Sequence, residues 1–319
     1  MKEAAKGYAP VIIPTLNRYE HLKRCVESLA CCMQAENTEL IIGLDYPPTP
    51  KYENGWLEIR QYLPTITGFK KVTILNRERN YGAVANMNDL IEYALKSYDY
   101  YIFTEDDNVF SPNFLDYMNK GLALYENNPK VMALCGYSYF DIEKEKHDGN
   151  VMAYRKYSAW GVGHWRCKNF VSDQSSRSDY CEAILKSWKN SVRLWRIHPI
   201  SINDFLSMHF RKQIYGDSLA NAMLCLEGKY CVFPKVSLVR NCGHDGSGEH
   251  CSETSVFVNQ KIDDATSFTF DELIYSSKFP NDTYYNKIVS VIAIPLVSFF
   301  RYLWYRMFDK DLFGFYFKR

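Results

Sequence analysis

The sequence predicts an α/β fold in which helices flank a mostly parallel sheet. Over roughly the first 135 residues, short apolar runs alternate with helical patterns, and each strand–helix repeat takes about 30 residues. Strands that are joined through helices in this way lie parallel, because the crossover is right-handed. A chain of 319 residues with 47% apolar and 24% charged residues can bury the core of such a domain. Its net charge of +1 gives no general attraction to nucleic acid.

The elements of this first part follow one another in a regular order. Apolar runs predict four strands, at residues 9–14, 38–45, 70–76 and 98–104. Apolar residues at helical spacing predict a helix around Leu22, Val26 and Leu29, and further helices at 83–95 and 111–125. The last of these is expected to begin with Ser111 as its N-cap and Pro112 at the first helical position.

The pattern becomes less regular after residue 140. Helical patterns occur near residues 177–189 and 217–227, and a short strand is predicted at 235–239. We expect this part to be a mixed lobe that packs on the same sheet. The chain is therefore divided into a first half of one domain, a second half of that domain and a C-terminal tail, at residues 1–140, 141–278 and 279–319.

The tail differs from the rest in composition. Its apolar run at 288–300 has 13 residues, whereas a helix needs roughly 17–25 residues to span a bilayer. Basic and aromatic residues follow, among them Arg301 and Trp304. This pattern predicts an amphipathic helix on the inner face of the cell membrane, with cations near anionic lipid. The alternative is a helix that packs on the domain or on another subunit. The N-terminus shows no signal peptide pattern, which predicts a cytoplasmic protein.

Three consecutive carboxylates, Glu105, Asp106 and Asp107, follow the fourth predicted strand. In a parallel sheet ligands bind beyond this end of the strands, and adjacent like charges repel unless a cation lies among them. Oxygen ligands suit Mg²⁺ or Mn²⁺, which share phosphate oxygens with a protein. The alternative is a polar loop before a helix, whose N-terminus favours negative charge. The chain has no Walker-type glycine-rich loop, so a phosphate would be held through a metal ion.

Three stretches have an order and spacing that resemble a known family: VIIPTLNRYEHLKRCVESL, RNYGAVANMNDLI and YIFTEDDNVFSPNFLDYM. They look like glycosyltransferases of the GT-A (Rossmann-like) fold, and most closely like family 2 enzymes of bacterial surface-polysaccharide synthesis. The Glu-Asp-Asp motif and its following helix are also similar to those of the N-acetylglucosaminyltransferases that begin complex N-glycans. The resemblance covers roughly residues 9–258.

The resemblance implies an inverting, metal-dependent transfer with Mn²⁺ or Mg²⁺ as the cofactor. The donor would be a nucleotide-diphosphate sugar, with a UDP-sugar preferred, and the moved group a hexosyl or N-acetylhexosaminyl group. The acceptor would be a hydroxyl of a glycan or lipid-linked glycan in surface polysaccharide or glycolipid synthesis. The tail would hold the enzyme against the membrane where such an acceptor grows.

The resemblance also implies roles for the residues at the strand ends. Asp107 would be the direct metal ligand, while Glu105 would approach the sugar and Asp106 the ribose. The nucleotide pocket would be lined by Pro14, Thr15, Asn17, Arg18, Asp45, Arg79, Asn80 and Gly82. Asp45 would face the base. An equally open interpretation is that Asp45 only forms the turn before YPPTP.

Two stretches of the second half resemble other parts of these enzymes. In AWGVGHW, Trp160 and Gly161 would close over the donor sugar, because an indole face stacks on sugar C–H groups. The alternative for Trp160 is a buried core residue. In YGDSLANAML, Asp217 would be the general base that deprotonates the acceptor hydroxyl, and the alternative is an N-cap. Gly-Asp-Ser-Leu is also an esterase motif, but no His of this chain has an Asp three residues before it.

A glycine-rich stretch near residue 245, GHDGSGEHC, contains two further candidates, His244 and His250. A late histidine completes the metal shell in many GT-A enzymes, and His250 is the better match. The alternative is a loop that orders over the donor phosphates. Two other classes of protein also stay open: a sugar-phosphate nucleotidyltransferase, which should have a glycine-rich loop after the first strand, and a non-catalytic carbohydrate-binding scaffold.

Overall fold

The structure is a computed structural model that describes residues 7–143, 149–168, 174–211, 216–247, 254–276 and 292–313. The strands are β1 (Val11–Thr15), β2 (Glu39–Leu44), β3 (Lys71–Asn76), β4 (Tyr100–Phe103), β5 (Asn108–Phe110), β6 (Val131–Cys135), β7 (Val151–Tyr154), β8 (Val162–Trp165), β9 (Tyr230–Pro234), β10 (Val239–Asn241) and β11 (Ile274–Tyr275). The α-helices are α1 (Tyr19–Ala30), α2 (Glu53–Tyr62), α3 (Ala83–Leu95), α4 (Phe114–Tyr125), α5 (Phe140–Glu143), α6 (Gln174–Lys186), α7 (Trp188–Ile197), α8 (Pro199–Arg211), α9 (Gly216–Glu227) and α10 (Ile294–Phe308).

Among the described residues, nine strands form one sheet in the order β11-β7-β9-β6-β8-β4-β1-β2-β3. The neighbours β3, β2, β1 and β4 are parallel, and these are the four strands that the sequence predicted. β8 runs antiparallel to both β4 and β6, after which parallel and antiparallel pairs alternate. The predicted α/β fold with a mostly parallel sheet flanked by helices is therefore confirmed.

Apolar periodicity explains the first half of the fold. All six residues of β2, ELIIGL, are buried, as expected of a parallel strand that is covered on both faces. In α1, Leu22, Val26 and Leu29 recur at helical spacing and are buried in the same core as β2. The helix predicted at 83–95 is α3, with the same bounds.

The predicted start of α4 is wrong by two residues. The helix begins at Phe114, and Asn113 rather than Ser111 is its N-cap residue. Ser111 instead closes a turn before the helix, because its carbonyl oxygen accepts the N–H of Phe114 at 3.0 Å. The side-chain hydroxyl of Ser111 donates to Asn113 Oδ1. The hydroxyl is thus used by the turn and is not available to cap the helix.

The strand predicted at residues 235–239 is also wrong. β9 ends at Pro234 and β10 begins only at Val239. Ser237 lies between them, and its hydroxyl accepts the N–H of Ser138 at 2.9 Å and donates to the carbonyl oxygen of Val239 at 2.7 Å. This local hydrogen bonding replaces the ladder of a sheet and turns the chain toward β10.

Helices of the second half enclose a second apolar core beside the sheet. α6, α7, α8 and α9 surround a cluster that includes Leu185, Phe205 and Leu206. The C-terminal helix α10 packs on α8, and Tyr302 and Tyr305 are buried in the same cluster. The packing alternative for the tail therefore holds for one face of α10.

The inner and outer faces of α10 are very different. On the inner face Arg301 forms an ion pair with Asp311 at 2.8 Å and donates to the carbonyl oxygen of Asn203 at 3.0 Å. The outer face carries exposed apolar side chains: Leu296, Val297, Phe300, Trp304, Met307 and Phe308. No helix in the described part of the chain is long and apolar enough to cross a bilayer. Residues 288–291 of the predicted apolar run lie outside the described residues.

Candidate active site

The carboxylates after β4 meet the end of β1. Asp106 Oδ2 accepts a hydrogen bond from Thr15 Oγ1 at 2.7 Å. Arg18 Nη2 forms ion pairs with both aspartates, to Asp106 Oδ1 and, at 2.9 Å, to Asp107 Oδ2. β1 and β4 are parallel neighbours, so their carboxyl ends bring these residues together from positions about 90 apart in the sequence. Pro14 on β1 and Asn17, in the loop to α1, adjoin this group in the chain.

Asp107 is held from the other side by the segment that leads into the glycine-rich stretch GHDGSGEHC, although the sequence did not predict this contact. Asn241 Nδ2 donates to Asp107 Oδ1 at 3.0 Å, and Cys242 N donates to the Asp107 carbonyl oxygen at 2.9 Å. A Cβ built on Gly243 would lie 2.0 Å from Asp107 Oδ2. The pairing of β10 with β5 brings this segment to the carboxylates. The glycine-rich stretch that begins at Gly243 is the sequence signal that indicated this segment.

Negative charge is in excess at this end of the sheet. Burial raises the pKa of Glu105 to about 8, and the charges of Asp107, Asp217 and Asp106 add to the rise. Burial also raises the pKa of Asp106, although Arg18 opposes the shift. For Arg18, burial lowers the pKa, but the two aspartates outweigh it and raise the pKa above its usual range. One guanidinium thus faces several carboxyl groups, a charge balance that a dication would complete.

The arrangement fits a divalent cation at Asp107. Oδ2 packs directly against Gly243, where a Cβ would lie only 2.0 Å from it, so no side chain at position 243 covers the carboxylate. Within the described residues, no group of three or more His, Cys, Asp or Glu side chains could hold a metal ion. Mg²⁺ and Mn²⁺ commonly use one or two carboxylates together with phosphate oxygens and water, so Asp107 is the residue that would hold the ion. His250, the other predicted ligand, lies outside the described residues.

A second group of predicted nucleotide-binding residues gathers at the end of β2. Asp45 accepts hydrogen bonds from the N–H groups of Tyr81 and Gly82, each at 2.8 Å. Asn80 Nδ2 donates to Asp45 at 3.3 Å. The Asp45 carboxylate therefore anchors the loop before α3. It also accepts the N–H of the next residue at 2.9 Å, as the turn interpretation expected, while a contact with a base stays a prediction.

Arg79 and Trp160 lie beside aromatic side chains. The Arg79 guanidinium lies 5.9 Å from the ring centroid of Tyr81, within cation–π range. Trp160 is half-buried, and its ring contacts Tyr137 edge-on at 4.6 Å between centroids. The ring of His244 lies 5.8 Å from Trp160. Trp160 thus belongs to an aromatic cluster at the edge of the core, and its stacking on a sugar stays a prediction.

Gly161 has a packing reason to be glycine. Its φ of +66° is in the left-handed region, and a Cβ there would lie 2.9 Å from Val239 Cγ2 and 3.0 Å from the ring of Phe114. Its carbonyl oxygen accepts the N–H of Gly136 at 2.7 Å. The glycine therefore lets the chain pass close to the core between Trp160 and β8. A donor contact of Gly161 stays a prediction.

Asp217 lines a cavity of about 310 Å³ between α3, β4 and α9. It is the second residue of α9, and its side chain is open to the cleft although protein surrounds it on most sides. This partial burial raises the pKa of Asp217 to about 6, against the lowering effect of Lys156. Phe103 and Tyr157 also line the cavity. A carboxyl group with this pKa is ionised at neutral pH and can accept a proton.

His164 forms the floor of the same cavity. Its Nε2 lies 3.1 Å from the hydroxyl of Tyr157, and its ring stacks on Tyr101. Burial lowers the pKa of His164 to about 4, so the ring is neutral. The charge of Asp217, which lines this cavity, adds to the rise that burial and Asp107 cause in the pKa of Glu105.

The family comparison agrees with this site. The model of Glycosyl transferase family 2 matches residues 11–159, just under half of the chain. The match includes β1 to β4 and all three carboxylates, so the sheet has the GT-A arrangement that the resemblance implied. A search of curated proteins found no match.

The similar solved structures include a mannosyltransferase and S. aureus TarS. The mannosyltransferase PcManGT from Pyrobaculum calidifontis, in complex with GDP-Man and Mn²⁺, is 11% identical with a TM-score of 0.39, and the alignment covers 70% of this chain and 75% of that chain. S. aureus TarS is 14% identical with a TM-score of 0.32, over 54% of this chain and 29% of TarS. The structure of TarS 1–349 is 15% identical with a TM-score of 0.33, over 50% and 47%. The chain therefore covers less than half of TarS in either structure.

Proposed function

We propose that this protein is an inverting, metal-dependent glycosyltransferase that moves a sugar from a nucleotide-diphosphate donor to an acceptor hydroxyl. A UDP-sugar is the proposed donor, and a hexosyl or N-acetylhexosaminyl group the proposed cargo. The observation that carries the proposal is the meeting of Thr15, Arg18 and Asp107 at one end of the sheet, within the part of the chain that the family model matches. The product would be a surface polysaccharide or glycolipid.

In this proposal one half of the domain binds the donor and the other half binds the acceptor. Residues 1–140 would bind the donor through the ends of β1, β2 and β4. Residues 141–278 would supply Trp160, Asp217 and the walls of the acceptor cavity. The charge of Asp217 adds to the rise in the pKa of Glu105, which supports a proposal that places the two carboxyl groups near each other. Donor and acceptor would therefore meet between Glu105 and Asp217.

The chain's own residues account for most of the chemistry. Asp217 would take the proton of the acceptor hydroxyl while the oxygen attacks the anomeric carbon on the face opposite the diphosphate. The bond between the anomeric carbon and the diphosphate oxygen breaks, and the diphosphate leaves with the electron pair. A positioned base of this kind contributes about 10²–10⁴ in rate. The cation at Asp107 would supply a Lewis acid for the charge on the diphosphate.

Radiolabelled UDP-, GDP- and dTDP-sugars, each incubated with and without Mn²⁺, test this proposal. We expect Mn²⁺-dependent donor hydrolysis or transfer that is lost in Asp107→Asn. Asp99→Asn is the matched control, because Asp99 is an exposed aspartate whose ion pair with Arg166 is long, at 3.6 Å. Nucleotide binding without turnover of any donor would favour the scaffold instead, and transfer that ignores Mn²⁺ would contradict the metal role.

The outer face of α10 supports a membrane contact for residues 279–319. Phe300 and Met307 are 58% and 65% exposed, and Trp304 lies between them on the same face. Lys310 follows the helix and is exposed, whereas the guanidinium of Arg306 donates to the carbonyl oxygens of Leu185 and Lys186. Apolar and aromatic side chains with neighbouring cations suit the interface of an anionic bilayer. We propose that this face rests on the cytoplasmic leaflet, near a lipid-linked acceptor.

Sedimentation with vesicles tests the membrane contact. The double variant Phe300→Ser, Met307→Ser should lose most binding to vesicles that contain phosphatidylserine, because roughly 25 cal/mol is lost per Å² of apolar surface. The double variant Val256→Ser, Val258→Ser is the control, since both valines are exposed elsewhere in the fold. Equal binding by both double variants would contradict the contact. If neither wild type nor either double variant binds the vesicles, the outer face of α10 would instead be a surface for another subunit.

A further inference from the structure

The guanidinium of Arg18 covers the two aspartates of the proposed metal site. Its Nη2 contacts Asp106 and Asp107 together, and the aspartate side chains are only 7% and 6% exposed, against 21% for Arg18. The backbone of Arg18 is fixed, because its carbonyl oxygen accepts the N–H of Leu22 at 3.0 Å. The side chain is thus a cation on the solvent side of the carboxylates, held at the start of α1.

A divalent cation and this guanidinium compete for the same oxygen. Asp107 Oδ1 already accepts a hydrogen bond from Asn241, so Oδ2, which is 2.9 Å from Arg18 Nη2, is the oxygen left for a cation. A divalent cation and a guanidinium that share one carboxylate oxygen repel each other strongly in a partly buried site. A cation that binds Oδ2 must therefore displace Arg18. The displaced guanidinium then needs another anion, and a diphosphate matches its planar fork.

The two carboxylates keep other partners when Arg18 leaves. Thr15 Oγ1 donates to Asp106 Oδ2, and Asn241 Nδ2 donates to Asp107 Oδ1. Neither hydrogen bond involves the oxygen that Arg18 contacts. The carboxylates therefore stay oriented, and only the side chain of Arg18 has to move. Exchange of the guanidinium for a divalent cation therefore requires no rearrangement of the two carboxylates.

We propose that Arg18 is an exchangeable counter-ion that occupies the divalent-cation position in the free protein and moves to the diphosphate when cation and donor bind. The inference rests on the proposed function for the class of donor, and it adds a mechanism that couples the metal ion to the nucleotide. The free protein binds the metal ion weakly. Metal ion and nucleotide each strengthen the binding of the other by the same factor, as linkage requires.

Titration of Mn²⁺ followed by its electron paramagnetic resonance signal tests the inference without any sugar transfer. Wild type, Arg18→Met and Arg24→Met are compared with and without UDP. For wild type we expect weak Mn²⁺ binding that UDP strengthens about tenfold or more. For Arg18→Met we expect Mn²⁺ alone to bind about tenfold more tightly than to wild type, with little further gain from UDP.

Two further variants serve as controls. Arg24 lies on the same helix, but its guanidinium donates to the carbonyl oxygen of Glu20, so Arg24→Met should match wild type. Arg18→Lys keeps a positive charge and should restore weak Mn²⁺ binding, which also shows that the site folds. Equal Mn²⁺ affinity of wild type and Arg18→Met, with UDP coupling intact, overturns the inference and leaves the proposed function standing. No Mn²⁺ binding by any protein, with or without UDP, overturns both.

Discussion

Replacement of Gly243 by alanine is the sharpest test of the Asp107 carboxylate. The new Cβ would lie 2.0 Å from Oδ2 and 2.6 Å from Cγ of Asp107. Real Cβ atoms essentially never lie within 3.0 Å of such an atom. The carboxylate must therefore shift by about 1 Å or more, a displacement that can cost about 10²-fold in rate. In free energy this is about 2.7 kcal/mol of transition-state stabilisation.

The carboxylate cannot make this shift without losing partners. Movement of Oδ2 away from residue 243 lengthens its 2.9 Å contact with Arg18 or the 3.0 Å hydrogen bond between Oδ1 and Asn241. We expect kcat/KM for metal-dependent donor turnover to fall by about 10²-fold, and the apparent Mn²⁺ affinity to fall with it. Overpacking should also cost about 1–3 kcal/mol of folding free energy, which thermal unfolding measures.

Gly163→Ala separates the two effects of the Gly243→Ala change. A Cβ on Gly163 would lie 3.2 Å from Met118 Sδ and 3.3 Å from Leu122 Cδ2, in the core rather than at the carboxylates. This control should lower the midpoint of thermal unfolding without loss of Mn²⁺ affinity. A folded Gly243→Ala protein with nearly unchanged turnover and Mn²⁺ affinity would refute the role of Asp107.

Three further predictions concern pH and the loop before α3. The kcat/KM of wild type should rise with pH through about 6, the pKa of Asp217, and Asp217→Asn should lose about 10²–10⁴ in rate and the inflection. Because that pKa is raised in the folded protein, the ionised carboxylate of Asp217 disfavours folding. At pH 8 we therefore expect Asp217→Asn to be more stable than wild type by about 1 kcal/mol, a value reduced for solvent in the cleft. At pH 4, where the carboxyl group of the folded protein is already protonated, we expect no such gain. Burial raises the pKa of Glu39, but hydrogen bonds from three side chains outweigh burial and lower the pKa. We therefore expect Glu39→Gln to lower the free energy of unfolding in urea by about 2 kcal/mol at pH 7. The loss should become progressively smaller as the pH falls below 4.5, because Glu39 of wild type is then protonated. Asp45→Ala should speed hydrogen exchange at the amides of Tyr81 and Gly82, which lose their acceptor, and weaken nucleotide binding about tenfold.

Each of these predictions has an opposing result. If Asp217 is the base, the pH profile of kcat/KM must bend near its pKa of about 6. A kcat/KM that does not change between pH 5 and pH 8 would therefore exclude Asp217 as the base. If Glu39→Gln lowers the free energy of unfolding by the same amount down to acid pH, the charge of Glu39 does not stabilise the fold. Unchanged exchange at Gly82 in Asp45→Ala would show that the loop is held by other contacts.

The sequence anticipated the elements that have strong local signals. β1 to β4, α1 and α3 were all predicted, because burial between a sheet and helices imposes apolar periodicity on each segment. The start of α4 and the break before β10 were missed. In both places a serine hydroxyl, Ser111 or Ser237, bonds to nearby polar groups, and a serine in a sequence does not reveal which group it will contact.

The site was partly predictable for the same reason. The carboxyl ends of parallel strands meet at one edge, so Thr15, Arg18 and Asp106 could be expected near one another from strand order alone. The contacts of Asn241 and Gly243 with Asp107 were not predicted, because these residues reach Asp107 through the pairing of β10 with β5. That pairing is antiparallel and joins segments that are more than 130 residues apart.

The sequence by itself thus determined the alternating strands and helices and the edge of the sheet that carries the carboxylates. Both follow from the local spacing of apolar and polar residues. Only the tertiary structure decided that one oxygen of Asp107 contacts Arg18 and packs against Gly243, while the other accepts from Asn241. It also decided that one side of α10 is buried and the other exposed. These features depend on contacts between distant segments, and such contacts arise only when the whole chain packs.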